Sequence, residues 1–170
     1  MPLHDPKTVK HFNDVGHAHC LTFSCYHGLP LLDNDAMRAL FLEYLERARR
    51  ELAMDVWAYV LMPNHAHLLI RPRHESYSIA DILKSIKQPV AYYGLRASRS
   101  SDFVLPKFWQ AGPGFDENIT DPHRGVVIAQ YIHNNPVRKR LVESVEDWRW
   151  SSARFWAGRD DFDLAMDPIE

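Results

Sequence analysis

The hydrophobic pattern divides the chain into alternating strand-like and helix-like stretches. Residues 18–25 carry Leu, Thr and Phe between Gly16 and Gly28-Leu29-Pro30, which predicts a strand. Asp33-Asn34-Asp35 then forms a capping cluster ahead of Met37, Leu40, Phe41, Tyr44, Leu45, Ala48 and Leu52. Their spacing of three and four predicts an amphipathic helix, with Arg38, Glu43, Glu46, Arg47 and Arg50 on its solvated side. The period changes at residues 56–62, an apolar run that predicts a buried strand. Pro63-Asn64 makes a tight connection, and residues 65–70 return as a second strand. Ser78 caps a second helix whose inner face carries Ile79, Ile82, Leu83, Ile86, Val90 and Tyr93; Pro89 is expected to kink it and Gly94 to end it. Phe108-Trp109-Gln110 predicts a short strand before the turn Gly112-Pro113-Gly114. Asp121-Pro122 opens a third helix through Val126, Val127, Ile128, Tyr131 and Ile132, which Asn134-Asn135-Pro136 is expected to stop.

This order predicts an α+β fold: an antiparallel, ferredoxin-like or RRM-like sheet with helices packed on one face. With 170 residues, 46% of them hydrophobic and 25% charged, the chain has the length and composition of one domain with its own core. We expect that domain to span residues 1–158, with residues 159–170 as a short, loose tail. The tail holds five acids against one base, so the net charge of −2 conceals a net positive remainder. Seven basic residues fall between Arg71 and Lys107 against three acids, and Arg138-Lys139-Arg140 forms a second cluster. Such local basic faces suit a selective partner of a polyanion, and the near-neutral total excludes a histone-like binder. Two cysteines, Cys20 and Cys25, exclude a disulfide scaffold or a four-cysteine zinc site. The start, Met1-Pro2-Leu3-His4-Asp5, lacks the plan of a signal peptide, and no apolar run reaches the length of a membrane span. A reducing, cytoplasmic location is the expectation.

Pro63-Asn64-His65-Ala66-His67-Leu68-Leu69-Ile70 is the sharpest chemical signal. Side chains two apart on a strand share a face at roughly 7 Å, so His65 and His67 can converge on one ion while Ala66, Leu68 and Ile70 enter the core. Two imidazoles make half of a metal site and need further oxygen or nitrogen donors. His17-Ala18-His19 has the same spacing but no evident partner, which shows how weak the pair is alone. On the third helix Tyr131 and Asn135 stand four apart, on one face, whereas His133 lies about 200° from Tyr131 around the helix. A phenol can act as a covalent nucleophile and an amide oxygen can ligate a hard divalent ion; equally, the two can be an edge aromatic and a helix-end residue.

A His-hydrophobic-His strand followed by a helical Tyr with an amide four residues on resembles the HUH single-strand transposases, and among them the REP-associated tyrosine transposases, relatives of the insertion-sequence-200-like enzymes. Thr22-Phe23, Phe108-Trp109-Gln110, Gly114-Phe115-Asp116 and Trp148-Arg149-Trp150-Ser151-Ser152 extend the likeness over residues 17–156; the acidic tail has no place in it. The resemblance implies that Tyr131 cleaves single-stranded DNA, leaving a transient 5′-phosphotyrosine. His65, His67 and Asn135 would hold Mg²⁺ or Mn²⁺, because a phenol with a pKa near 10 needs an activated phosphate. It further implies hairpin DNA of palindromic REP type as partner, a nucleoid association through that DNA, and a monomer or homodimer. Arg71, Arg73, Lys84, Lys87, Arg138, Lys139 and Arg140 are the candidate phosphate contacts. Trp109, Trp148 and Trp150 suit base stacking or, individually, the core. The competing readings are a hairpin-binding protein that no longer cuts and a small metal-dependent hydrolase, for which no carboxylate sits beside His65 or His67.

Overall fold

Ala18–Ser24 (β1), Met54–Leu61 (β2), His65–Pro72 (β3) and Phe115–Ile119 (β4) pair antiparallel in the order β2-β3-β1-β4. The computed structural model describes residues 11–170, so residues 1–5, read above for a leader, lie outside the described residues. Asp35–Glu51 (α1) connects β1 to β2, and Ile79–Ser98 (α2) connects β3 to β4. Pro122–His133 (α3), Asn135–Arg138 (α4) and Ala153–Trp156 (α5) follow. The expected ferredoxin-like order is present. The three long helices start where short polar side chains satisfy free backbone N–H groups: Asn34 accepts from Ala36 and Met37, Ser78 from Asp81, and Asp121 from His123.

Strand alternation sorts the apolar residues onto two faces. Leu21, Phe23, Tyr59, Leu61, Ala66, Leu68 and Ile70 join Phe41 and Leu45 of α1 and Ile82, Ile86 and Val90 of α2 in the larger core. Ala18, Cys20, Ala58, Val60 and Leu69 face the other way, against Ile128, Ala129 and Ile132 of α3. A register shift between Val56 and Ala58 turns Trp57 to this second face as well. The expectation of helices on a single face is therefore corrected for α3. Its apolar stripe needs a surface that α1 and α2 have left open, and the sheet supplies one.

Other differences have local causes. Gly94 does not end α2; it lets the helix approach Phe108, whose ring would lie 2.3 Å from a Cβ placed there. Pro89 lies inside the helix, and Tyr93 is exposed rather than inward. Arg38 is buried, not solvated: its guanidinium pairs with Asp33 at 3.0 Å and lies 5.1 Å from the Trp148 ring. Residues 108–110 contribute one bridge, Cys25 to Trp109, rather than a strand. α3 ends at His133, where Asn134-Asn135-Pro136 implied a stop, and Pro136 then lies in the first turn of the short α4. The acidic tail is docked. Arg49 donates to both oxygens of Asp167 at 2.7 and 2.6 Å, Asp163 takes Arg149, and Leu164 is buried. No described helix is long and apolar enough to cross a membrane.

Candidate active site

His65 and His67 share the α3 side of the sheet, with ring centroids 4.9 Å apart and planes at 87°, while Ala66, Leu68 and Ile70 fill the opposite core. Thr22 lies directly across from His67 in the β1–β3 register, and its hydroxyl meets His67 Nδ1 at 2.7 Å. Asn64 Oδ1 lies 2.7 Å from His65 Nδ1, and its amide nitrogen donates to the Gly28 carbonyl at 3.3 Å. That second bond fixes the amide orientation: Oδ1 can only accept, so His65 Nδ1 carries a proton and its Nε2 keeps a lone pair. Burial, then the Lys139 charge, lowers the His65 pKa; burial, then His65 and Arg138, lowers that of His67 to about 4. Both imidazoles are thus held neutral near pH 7, the form that binds a metal.

Tyr131 projects from α3 beside this pair, half-exposed, its ring centroid 6.4 Å from that of His67. The Arg138 guanidinium lies 3.9 Å from the Tyr131 ring centre, and its Nη2 donates to Asn135 Oδ1 at 3.1 Å. Asn134 keeps helical dihedrals between α3 and α4, so Asn135 stays about one turn beyond Tyr131. Asn135 is buried, and its Nδ2 has no hydrogen-bond partner among the described residues. Those residues contain no cluster of three or more His, Cys, Asp and Glu side chains able to hold a metal. Any ion held by His65 and His67 must complete its shell from an amide, the substrate or water.

The basic residues separate into two sets. Arg138 covers Tyr131, and Lys139 lines a hollow of about 370 Å³ with Asn64 and His65. Arg140 follows in a left-handed conformation, φ 57°, exposed. Arg71 shares the histidine face but lies about 13 Å along the strand from His67, near the Trp57 ring, and Arg73 pairs with Asp55 at 3.5 Å. Lys84 and Lys87 belong to α2, on the far face; the Lys87 ammonium sits 5.1 Å from the Phe23 ring, and burial lowers its pKa. Trp109 and Trp150 are core residues, and Trp148 donates its indole N–H to the Leu61 carbonyl.

The sequence motifs include Thr22, Asn64 and Phe115 but give no role to Thr22 and Asn64 as the partners that orient the imidazoles, nor to the wall beyond Tyr131 formed by Phe115, Glu117 and Arg124. The β1–β3 register brings Thr22 to His67, and the β1–β4 register with α3 builds the wall. The other His-x-His pair also has a partner from β4. His19 Nδ1 meets Asp116 Oδ1 at 2.8 Å, His11 Nδ1 meets Asp116 Oδ2 at 2.6 Å, and the Tyr77 hydroxyl meets His19 Nε2 at 2.8 Å. Both ring nitrogens of His19 are thereby engaged, tying β1 to β4 and to Tyr77. His133 is buried against Ser152 and Trp156, away from Tyr131 as its helical angle implied.

The family model of IS200-like transposases matches residues 16–135. The solved structure of a REP-associated tyrosine transposase bound to a REP hairpin superposes with a TM-score of 0.72 at 18% identity, covering 96% of this chain and 94% of that one. A second structure, of a candidate transposase from Deinococcus radiodurans, gives 0.48 at 20% identity over 74% of this chain and 95% of that one. Among curated proteins none matches.

Proposed function

Because the chain belongs to the IS200-like transposase family, we propose that it cuts and rejoins single-stranded DNA, with Tyr131 as the covalent nucleophile. The phenolic oxygen attacks the scissile phosphorus in line. An Oη–P bond forms as the P–O3′ bond breaks, the phenolic proton passes to water at the exposed edge of the ring, and the departing 3′ oxygen takes up a proton. The 5′-phosphotyrosine keeps the energy of the phosphodiester, so a 3′-hydroxyl attacking the same phosphorus restores a DNA strand. The observation that carries this reading is the neighbourhood of Tyr131: two neutral imidazoles with Nδ1 atoms already engaged and one ring 6.4 Å from the phenol.

That donor set fits a divalent ion. His65 and His67 would hold it through Nε2, and Asn135 Oδ1 would join once Arg138 turns to a DNA phosphate. Mg²⁺ or Mn²⁺ bound there supplies Lewis-acid polarisation of the phosphate oxygens. Arg138 and Lys139 would fix the strand across the site through its phosphates, with Arg140 beside them. The substrate is read as hairpin DNA with a single-stranded flank, as in the REP-associated branch, acted on in the cytoplasm by a monomer or homodimer.

A labelled single-stranded hairpin oligonucleotide incubated with the protein and Mn²⁺ tests this. The expected result is a DNA–protein adduct that survives denaturation and is abolished in Tyr131→Phe, which removes one oxygen and leaves the ring. Cleavage by the Phe variant would reassign the chemistry to a metal-activated water. Hairpin binding with no adduct under any metal would leave a binder that does not cut.

A further inference from the structure

A hollow of about 450 Å³ opens beside Tyr131, between β4 and α3, on the histidine face of the sheet. Arg124, Val127 and Tyr131 recur on α3 at the spacing of one helical stripe, while Phe115 and Glu117 share a face of β4. The β1–β4 register sets Thr22 opposite Phe115 and Cys20 opposite Glu117, so these side chains form the floor and one wall. The mouth is apolar and open: Phe115 is 51% exposed, Val127 50% and Tyr131 51%. Burial, then Glu117 and Asp116, pushes the Cys20 thiol up to about 12, so the floor is uncharged. Two polar pairs line the hollow: Thr22 with His67, the candidate metal ligand, and Glu117 with Arg124, whose Nη2 donates to Glu117 Oε1 at 3.0 Å.

The geometry points to a subsite for one unpaired guanine base, stacked on Phe115 beside the nucleophile and read by the Glu117–Arg124 pair. This inference rests on the reading that Tyr131 faces single-stranded DNA. A half-exposed ring beside such a strand is a stacking platform for a base lifted out of its neighbours. Discrimination comes from the pair. A carboxylate offers two adjacent acceptors and no donor, and among the four bases only guanine presents two adjacent donors, N1–H and N2–H₂, on its pairing edge. Guanine O6 stands next to N1–H, where Arg124 supplies donors, so the base can bind with the ion pair intact. Adenine and cytosine offer the carboxylate one exocyclic amine beside a ring-nitrogen acceptor, and thymine offers one N3–H between two carbonyl oxygens, so each can satisfy only one of the two carboxylate oxygens.

Binding measured in EDTA, where the strand stays intact, separates this site from the chemistry of Tyr131. The probes are short oligothymidylates, unsubstituted or carrying one central guanine, adenine or cytosine. The wild-type chain is expected to bind the guanine probe about tenfold tighter than the others. Glu117→Gln, whose amide has one acceptor, should erase that preference and leave affinity for oligothymidylate unchanged. Phe115→Ala should weaken every single strand about tenfold and leave a blunt duplex unaffected, with Phe115→Leu as the variant that keeps apolar bulk but loses the aromatic face. Equal affinity for all four probes, or strand affinity unchanged in both Phe115 variants, overturns the proposal. So does a dimer that Phe115→Ala converts to a monomer at constant strand affinity, since the face then belongs to a second copy. A guanine preference without any adduct in Mn²⁺ keeps the base site and refutes the nucleophile; an adduct without a preference does the reverse.

Discussion

Arg138 lies across the face of Tyr131, its guanidinium 3.9 Å from the ring centre, and the same side chain donates to Asn135. A cation over an aromatic face is held by the ring quadrupole, worth about 0.5–1 kcal/mol where water reaches it. Three residues of the proposed chemistry are therefore linked through one guanidinium, and a DNA phosphate competes for it directly. Arg138→Ala should weaken binding of a single-stranded hairpin several-fold and lower the magnitude of the salt slope by about one, since one counterion-releasing contact is lost. Extending the change to Lys139 and Arg140 should flatten the slope further. A fluorescence titration at stepped salt checks both; an unchanged slope would reduce the cluster to a solvated turn.

The orientation of the imidazoles gives a second prediction. Thr22 holds Nδ1 of His67 and Asn64 holds Nδ1 of His65, so each leaves its partner's Nε2 toward the open side. Thr22→Val keeps the shape and β propensity of the strand residue but removes the hydroxyl. Loss of such an outer partner typically costs 10–100-fold in metal affinity. Calorimetric titration with Mn²⁺ should show about a tenfold loss for Thr22→Val, with the melting temperature nearly unchanged. The same affinity in the variant would mean that His67 is not a ligand.

How far the sequence was legible follows from which signals are local. Strand and helix periodicity, the caps at Asn34, Ser78 and Asp121, and the His65–His67 pair depend on residues a few positions apart, and each stands where its pattern implied. The features that escaped all depend on register or on a distant segment. Thr22 faces His67 only because β1 pairs with β3, and Glu117 faces Cys20 only through β4. Arg38 reads as solvated until Trp148 and Trp150 return over α1. Charge patterning did not reveal that Lys84 and Lys87 lie across the sheet from the histidines, because nothing in composition says which sheet face a helix will cover.

Gly94 makes a third prediction of the same kind. In an exposed helix interior Gly→Ala would stabilise by about 1 kcal/mol through lower backbone entropy. Here an added Cβ would meet Phe108 ring carbons at 2.3 and 2.4 Å. Phe108 is itself buried, so it has little room to retreat. Overpacking of this sort costs about 1–3 kcal/mol, and the net effect of Gly94→Ala should be a lower melting temperature. Adding Phe108→Leu should recover part of the loss; strictly additive effects in that double-mutant cycle would separate the two residues.

The docked tail predicts an acid-sensitive contribution to stability. Burial raises the Asp167 pKa, but hydrogen bonds from Arg49 and from the Val56 backbone outweigh it, and the carboxyl titrates below its ordinary 3.8. A depressed folded-state pKa means that the unfolded chain binds the proton more readily. The stabilisation is therefore fully present above about pH 5 and fades as pH falls through 3.8 toward the lower folded value. Asp167→Asn, which still accepts from Val56 but loses the charge against Arg49, should cost about 1–2 kcal/mol near neutrality. Its melting temperature should then drop by a few degrees at pH 7, and the gap to the parent should narrow as the pH falls below 3.8. Thermal melts across that range decide it. A constant gap between variant and parent down to pH 3 would show that Arg49 contributes no charge-dependent stability through Asp167, and the tail would then be held by Leu164 and its apolar neighbours.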